Sequence, residues 1–125
     1  EVVVEAKEDG LGTVVSKSNF KHVYWTMDQM LAQHTVTGCN MRSGDLLASG
    51  TITGSREDPM SFGCLLEKSW GGTKPWHLSG GQQRTYLEDG DTVTMKGFCG
   101  GEATSGGGNA RVGFGECIGT VLPAL

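Results

Sequence analysis

Ser43-Gly44-Asp45-Leu46-Leu47-Ala48-Ser49-Gly50-Thr51-Ile52-Thr53-Gly54 decides how the rest of this chain is read. Ser43-Gly44 is a turn signal, Leu46 to Ala48 is apolar, and the run then breaks into small residues and hydroxyls. Such a stretch predicts a buried strand whose far end opens into a cavity. Bulk anchors one end, Gly50 admits a close neighbour, and Ser49, Thr51 and Thr53 present hydroxyls. Taken alone, the same residues favour an ordinary core strand running out into a loop, and both readings expect a strand.

On the N-terminal side, Thr26 stands at the head of the clearest helix in the chain. Gln29 follows three residues on, which makes a capping box, and Trp25 can staple onto Met30. Asp28 suits the first turn of a helix dipole. Met27, Met30, Leu31 and His34 share one stripe, and Thr35-Val36-Thr37-Gly38 ends the element, so one α-helix is expected near residues 26–36. Further upstream, Val2-Val3-Val4 and Thr13-Val14-Val15-Ser16 flank the turn Glu8-Asp9-Gly10 and read as a hairpin.

On the C-terminal side, Ser55-Arg56-Glu57-Asp58-Pro59 is a polar surface loop. Ser61 to Trp70 reads as a strand, with Leu65, Glu67 and Ser69 on one face, which leaves Glu67 half-buried. Pro75 to Leu78 and Gln83 to Leu87 flank Ser79-Gly80-Gly81 as a second hairpin. Thr92 to Cys99 and Arg111 to Val121 read as strands on either side of a glycine-rich loop, Gly100 to Asn109. Short strands separated by turn signals, with one helix, predict a mainly β chain built as a sandwich or barrel-like roll.

The totals bound the function. The 125 residues are expected to form a single domain, or part of one; its formal charge is −4 and its hydrophobic content 37%. Mean hydropathy is −0.22. Lysine and arginine are scattered singly, which argues against nucleic acid or an anionic membrane as partner. No apolar run approaches the roughly 20 residues of a membrane span. No leader is visible, and a first residue of Glu1 suggests a piece cut from something longer. Cys39, Cys64, Cys99 and Cys117 have neither disulfide-framework nor zinc-knuckle spacing, so reduced, mostly buried thiols of a cytoplasmic protein are expected.

Chemistry is sparse in the residues themselves. No Walker-type loop, no G-x-S-x-G elbow and no clustered metal ligands occur. His34 on its apolar stripe reads as a core histidine, and Trp25 and Trp70 as packing residues. A carbohydrate-binding β-sandwich face using the tryptophans is the non-catalytic alternative. Thr51 and Glu67, taken alone, are an exposed hydroxyl and a strand carboxylate.

A resemblance adds to this. Ser18-Asn19-Phe20-Lys21, Tyr24-Trp25-Thr26, Gly38-Cys39-Asn40, Gly44 to Ile52, Phe62-Gly63, Leu66-Glu67, Ser69-Trp70 and Gly72-Thr73-Lys74-Pro75 occur in this order. Asp89-Gly90-Asp91, Gly113-Phe114-Gly115 and Val121 to Leu125 follow. Together they resemble the C-terminal part of the fumarylacetoacetate hydrolase family from about Lys17 to Leu125, and only weakly over Glu1 to Ser16. Gly44-Asp45…Gly50-Thr51 recurs across that superfamily. The block from Leu66-Glu67 to Lys74-Pro75 points to the branch acting on fumarylacetoacetate itself.

The resemblance implies a mixed β-sandwich roll and metal-assisted hydrolysis of a carbon–carbon bond in a β-diketone, the last step of tyrosine and phenylalanine breakdown. It implies that Glu67 is catalytic, as the carboxylate partner of a water-activating histidine, and that Thr51 contacts substrate. It further implies a cytoplasmic homodimer using calcium and magnesium. The histidine, the metal carboxylates and the basic oxyanion residues are expected upstream of this chain, so metal ligands within it are none and the isolated chain is expected to be inactive. Other superfamily activities, acylpyruvate hydrolase or oxaloacetate decarboxylase, are the nearest catalytic alternatives. Ser43 replaces the proline usual in the superfamily, which loosens a turn without touching chemistry.

Overall fold

In the computed structural model the residues described are 1–6, 10–100 and 111–125. The Glu8-Asp9 part of the first turn, and the Gly100–Asn109 loop beyond Gly100, lie outside them.

The fold is mainly β, with antiparallel sheets, as the sequence predicts. Strands β1 (Val2–Glu5) and β2 (Gly12–Ser16) form the expected hairpin. β5 (Thr92–Cys99) pairs with β1 on one side and with β6 (Val112–Thr120) on the other, giving the sheet order β2-β1-β5-β6. A second, two-stranded sheet joins β3 (Trp76–His77) to β4 (Gln83–Arg84) around the predicted Ser79-Gly80-Gly81 turn.

The core forms where these two sheets meet. Val4, Ala6, Val15, Trp76 and Leu78 are buried, and Val2, Leu65, Leu87 and Val93 pack against them. An ion pair closes one end. Arg84 donates from Nε to Asp91 Oδ2 at 2.9 Å and from Nη2 to Oδ1 at 3.0 Å, with both side chains almost out of reach of water. The Glu88 amide adds a third bond to Asp91 at 2.9 Å. The Arg84 guanidinium holds the Asp91 carboxyl below the usual carboxylate range, against the opposing pull of burial.

Helix α1 (Met27–Val36) starts where it should. Thr26 Oγ1 accepts from the Gln29 amide at 3.3 Å, and Gln29 Oε1 accepts from the Thr26 amide at 2.9 Å. Its burial departs from expectation, since none of its residues is buried and His34 is exposed. Met27, Met30 and His34 of the apolar stripe line a cavity of about 320 Å³ together with Phe20, Leu47, Ala48 and Ser49, which do not bury them, so the core-histidine reading fails. Trp25 and Trp70 are likewise exposed rather than packed, as are all four cysteines, which are free thiols.

Two strand expectations also fail. Leu46 to Ala48 is irregular, with Leu46 96% exposed. A strand is made by its neighbour, and among the described residues no strand lies alongside this run. Around Glu67 the predicted strand is replaced by a short helix, α2 (Leu65–Lys68). Leu65-Leu66-Glu67-Lys68 are all good helix formers, and local propensity overrides the apparent alternation.

Candidate functional site

The site is built on α2 and on the loop that precedes it. Leu65 packs against the core and so fixes the helix on the sheets. Cys64 is the N-cap, its Sγ accepting from the Glu67 amide at 3.4 Å. The far end closes as a Schellman turn. The Gly71 amide reaches Leu66 O at 2.9 Å and the Trp70 amide reaches Glu67 O at 3.1 Å. That closure puts Trp70 itself in the left-handed region, with φ of 49°, where glycine is usual. Ser69, fully buried, braces the turn by accepting from the Gly72 amide at 3.1 Å.

The preceding loop is stitched to β2. Ser16 Oγ donates to Phe62 O at 2.6 Å and the Lys17 amide to Met60 O at 2.8 Å. The Gly54 amide donates to Ser61 O at 2.9 Å, which brings the two limbs of the loop together. A Cβ on Gly54 would overlap the Ser61 side chain, so this closure requires glycine.

Glu67 therefore sits half-buried, as predicted, though on a helix instead of a strand. Its Oε2 accepts two hydrogen bonds, from Thr53 Oγ1 at 2.9 Å and from the Gly63 amide at 2.8 Å. It lines a cavity of about 840 Å³ whose wall also includes Thr53, Arg56, Phe62, Cys64 and Trp70. Lys68, one residue on, lies with Nζ 5.1 Å from the Phe62 ring centroid, and burial pushes its pKa down. Lys74 Nζ lies over the Trp70 ring, 4.4 Å from its centroid.

Thr51 is exposed and lines a different, smaller cavity of about 260 Å³, with Ser16, Ser18 and Phe20. The two cavities share Phe62 as a common wall. The structure thus brings Glu67 together with Thr53 and the Gly63 amide, and sets Thr51 on the other side of that wall. Sequence reasoning missed the roles of Thr53 and Gly63. Thr53 was visible only as one hydroxyl in a run of them, and a backbone amide leaves no mark in a sequence.

Among the described residues, no three His, Cys, Asp or Glu side chains are grouped so as to hold a metal ion. The described residues alone do not fit a calcium or magnesium site. No described helix is long and apolar enough to cross a membrane.

Fold and site together define a class: a mainly β domain carrying a hydrogen-bonded carboxylate in a cleft wall. Residues 6–122 match the family model described as fumarylacetoacetate (FAA) hydrolase C-terminal, and the chain belongs to that family. The match begins earlier than the Lys17 start of the motif resemblance. The chain is similar to fumarylacetoacetase of Mus musculus, 54% identical over 124 residues, which are 98% of this chain and 28% of the mouse protein. Fumarylacetoacetase of Homo sapiens is 52% identical over 124 residues, again 98% of this chain and 28% of the relative. That of Arabidopsis thaliana is 52% identical over 111 residues, 89% of this chain and 24% of the plant protein. The chain thus spans between a quarter and a third of the length of the mouse and human relatives.

Proposed function

We propose that these 125 residues are the C-terminal portion of the catalytic domain of a fumarylacetoacetase, in which water cleaves fumarylacetoacetate to fumarate and acetoacetate. The observation that carries this reading is the Glu67 carboxylate, half-buried in a cavity wall and held through one oxygen by Thr53 and Gly63. The names of the relatives support the substrate, and the residue block around Glu67 supports this branch of the superfamily over acylpyruvate hydrolases.

In the proposed mechanism a histidine from another part of the longer protein takes a proton from water as its oxygen bonds to the substrate carbonyl carbon. Glu67 orients that imidazole and stabilises the imidazolium, as the carboxylate of a hydrolase triad does. The carbon–carbon bond then breaks, the electron pair leaves with the acetoacetate fragment as an enolate, and the imidazolium returns its proton to it. Thr51 offers a hydroxyl to the substrate acid. Calcium or magnesium, if the longer protein holds it, would supply Lewis-acid polarisation, and its ligands would come from outside the described residues. A cytoplasmic homodimer is the assembly and location that fit this reading.

Glu67 stands at the third helical position, and its bonds to the Gly63 amide and Thr53 also tie the helix to the preceding loop, which is a purely structural use. Glu67→Gln separates the two uses, because glutamine keeps an acceptor oxygen and loses the charge. In the full-length protein, kcat on fumarylacetoacetate is expected to fall by roughly 10² or more, with the melting temperature unchanged. Unchanged turnover would return Glu67 to the structural role alone. Parallel assays on acylpyruvates test the branch assignment.

A further inference from the structure

We infer that Thr53 is a positioning residue for the reaction, holding the Glu67 carboxylate in one rotamer through its hydroxyl. The inference rests on the catalytic reading of Glu67 and goes beyond it. A glutamate side chain has three rotatable bonds and loses substantial entropy when fixed. Something must fix it if it is to orient an imidazole. α2 alone does not, since its four residues supply only the backbone under Glu67.

Two donors converge on a single atom. Thr53 Oγ1 and the Gly63 amide both donate to Oε2, at 2.9 and 2.8 Å, from opposite limbs of the loop. Satisfying one oxygen twice aims the carboxylate and leaves the direction of its second oxygen to a further donor. The convergence depends on Gly63. A Cβ there would stand 2.6 Å from Thr53 Oγ1 and 3.1 Å from the Thr53 amide nitrogen, so any larger residue displaces the hydroxyl. The loop itself is tied down by the Gly54–Ser61 and Ser16–Phe62 bonds, which places Thr53 on the sheet frame. A hydroxyl that served only its own solvation would need no such support. Thr53 also lines the same cavity as Glu67, facing the place where chemistry is proposed.

The test uses the full-length enzyme with Thr53→Val, which keeps the branched shape and removes the donor, Thr53→Ser, which keeps the donor, and Glu67→Gln. Thr53→Val is expected to lower kcat about ten- to hundredfold, the scale of a hydrogen bond to a charged group, with KM within about twofold. Thr53→Ser is expected to restore most of that loss. In the Glu67→Gln background, Thr53→Val is expected to cost less than about threefold more, because the two act as one unit. Should Thr53→Val not fold, Thr53→Ala against Thr53→Ser reads the same hydroxyl. Full activity of the donor-free variant alongside an impaired Glu67→Gln overturns this inference and spares the reading beneath it. Equal impairment of the valine and serine variants overturns it as well. Full activity of Glu67→Gln overturns the catalytic reading itself.

Discussion

Val4 and Val15, on the paired strands β1 and β2, are closed off from water, whereas Met27, Leu31 and Val36 on helix α1 stand in it. Both regions carry apolar side chains at the spacing their element demands. They differ in partners. β1 is paired on both sides and faced by Trp76 and Leu78, while α1 has a well-formed cap and no buried residue. Periodicity therefore reports which element forms, and a neighbour decides whether its apolar side contributes to stability.

The sheet region owes part of its integrity to polar atoms, and there the largest effect is expected. Asp91→Asn leaves Arg84 buried against an uncharged partner, which costs about 3–5 kcal/mol, measured by urea unfolding. The pH dependence has a definite sign. Because Arg84 holds the Asp91 pKa below its unfolded value, this stabilisation is complete above about pH 4 and is lost as pH falls below that toward the folded value. Asp91→Asn is expected to flatten stability across that acidic range. A variant that retained the wild-type acid sensitivity would show that the pair does not distinguish the two regions.

The same contrast explains what was legible in the sequence. The hairpin β1–β2, the pair β3–β4 and the long strands β5 and β6 were readable because local turn residues set them up and their partners lie within the described chain. The capping box at Thr26 was readable because it involves only residues three apart. Leu46 to Ala48 was misread because a strand needs a neighbour, and apolar content does not supply one. Glu67 was identified through resemblance, and its half-burial was inferred correctly from a mistaken element. The residues that hold it escaped, since Thr53 lies 14 positions away and the Gly63 contact is made by backbone.

A matched pair of truncations sharpens the comparison at intermediate size. Val15→Ala removes methyl groups from a fully enclosed site and is expected to destabilise the 125-residue chain by about 1.5–3 kcal/mol. Leu31→Ala removes more hydrocarbon from a half-exposed face and is expected to change stability by no more than about 0.5 kcal/mol. Denaturant midpoints of the two variants provide the measurement. Equal losses would show that α1 is packed in solution and that the two regions are one.

The smallest effect tests whether α1 is independent of the sheet. Thr26 accepts from the Gln29 amide, and Gln29 answers with a bond to the Thr26 amide, so one substitution removes half of a reciprocal cap. Thr26→Ala is expected to cost about 1 kcal/mol. With no buried residue on α1, that loss has no route into the core. Amide hydrogen exchange of the 125-residue chain should therefore quicken over Met27 to Leu31 and stay unchanged over β1 and β5. Faster exchange in the strands as well would mean that a contact links the helix to the sheet, and the contrast between a buried region and an exposed one would fall.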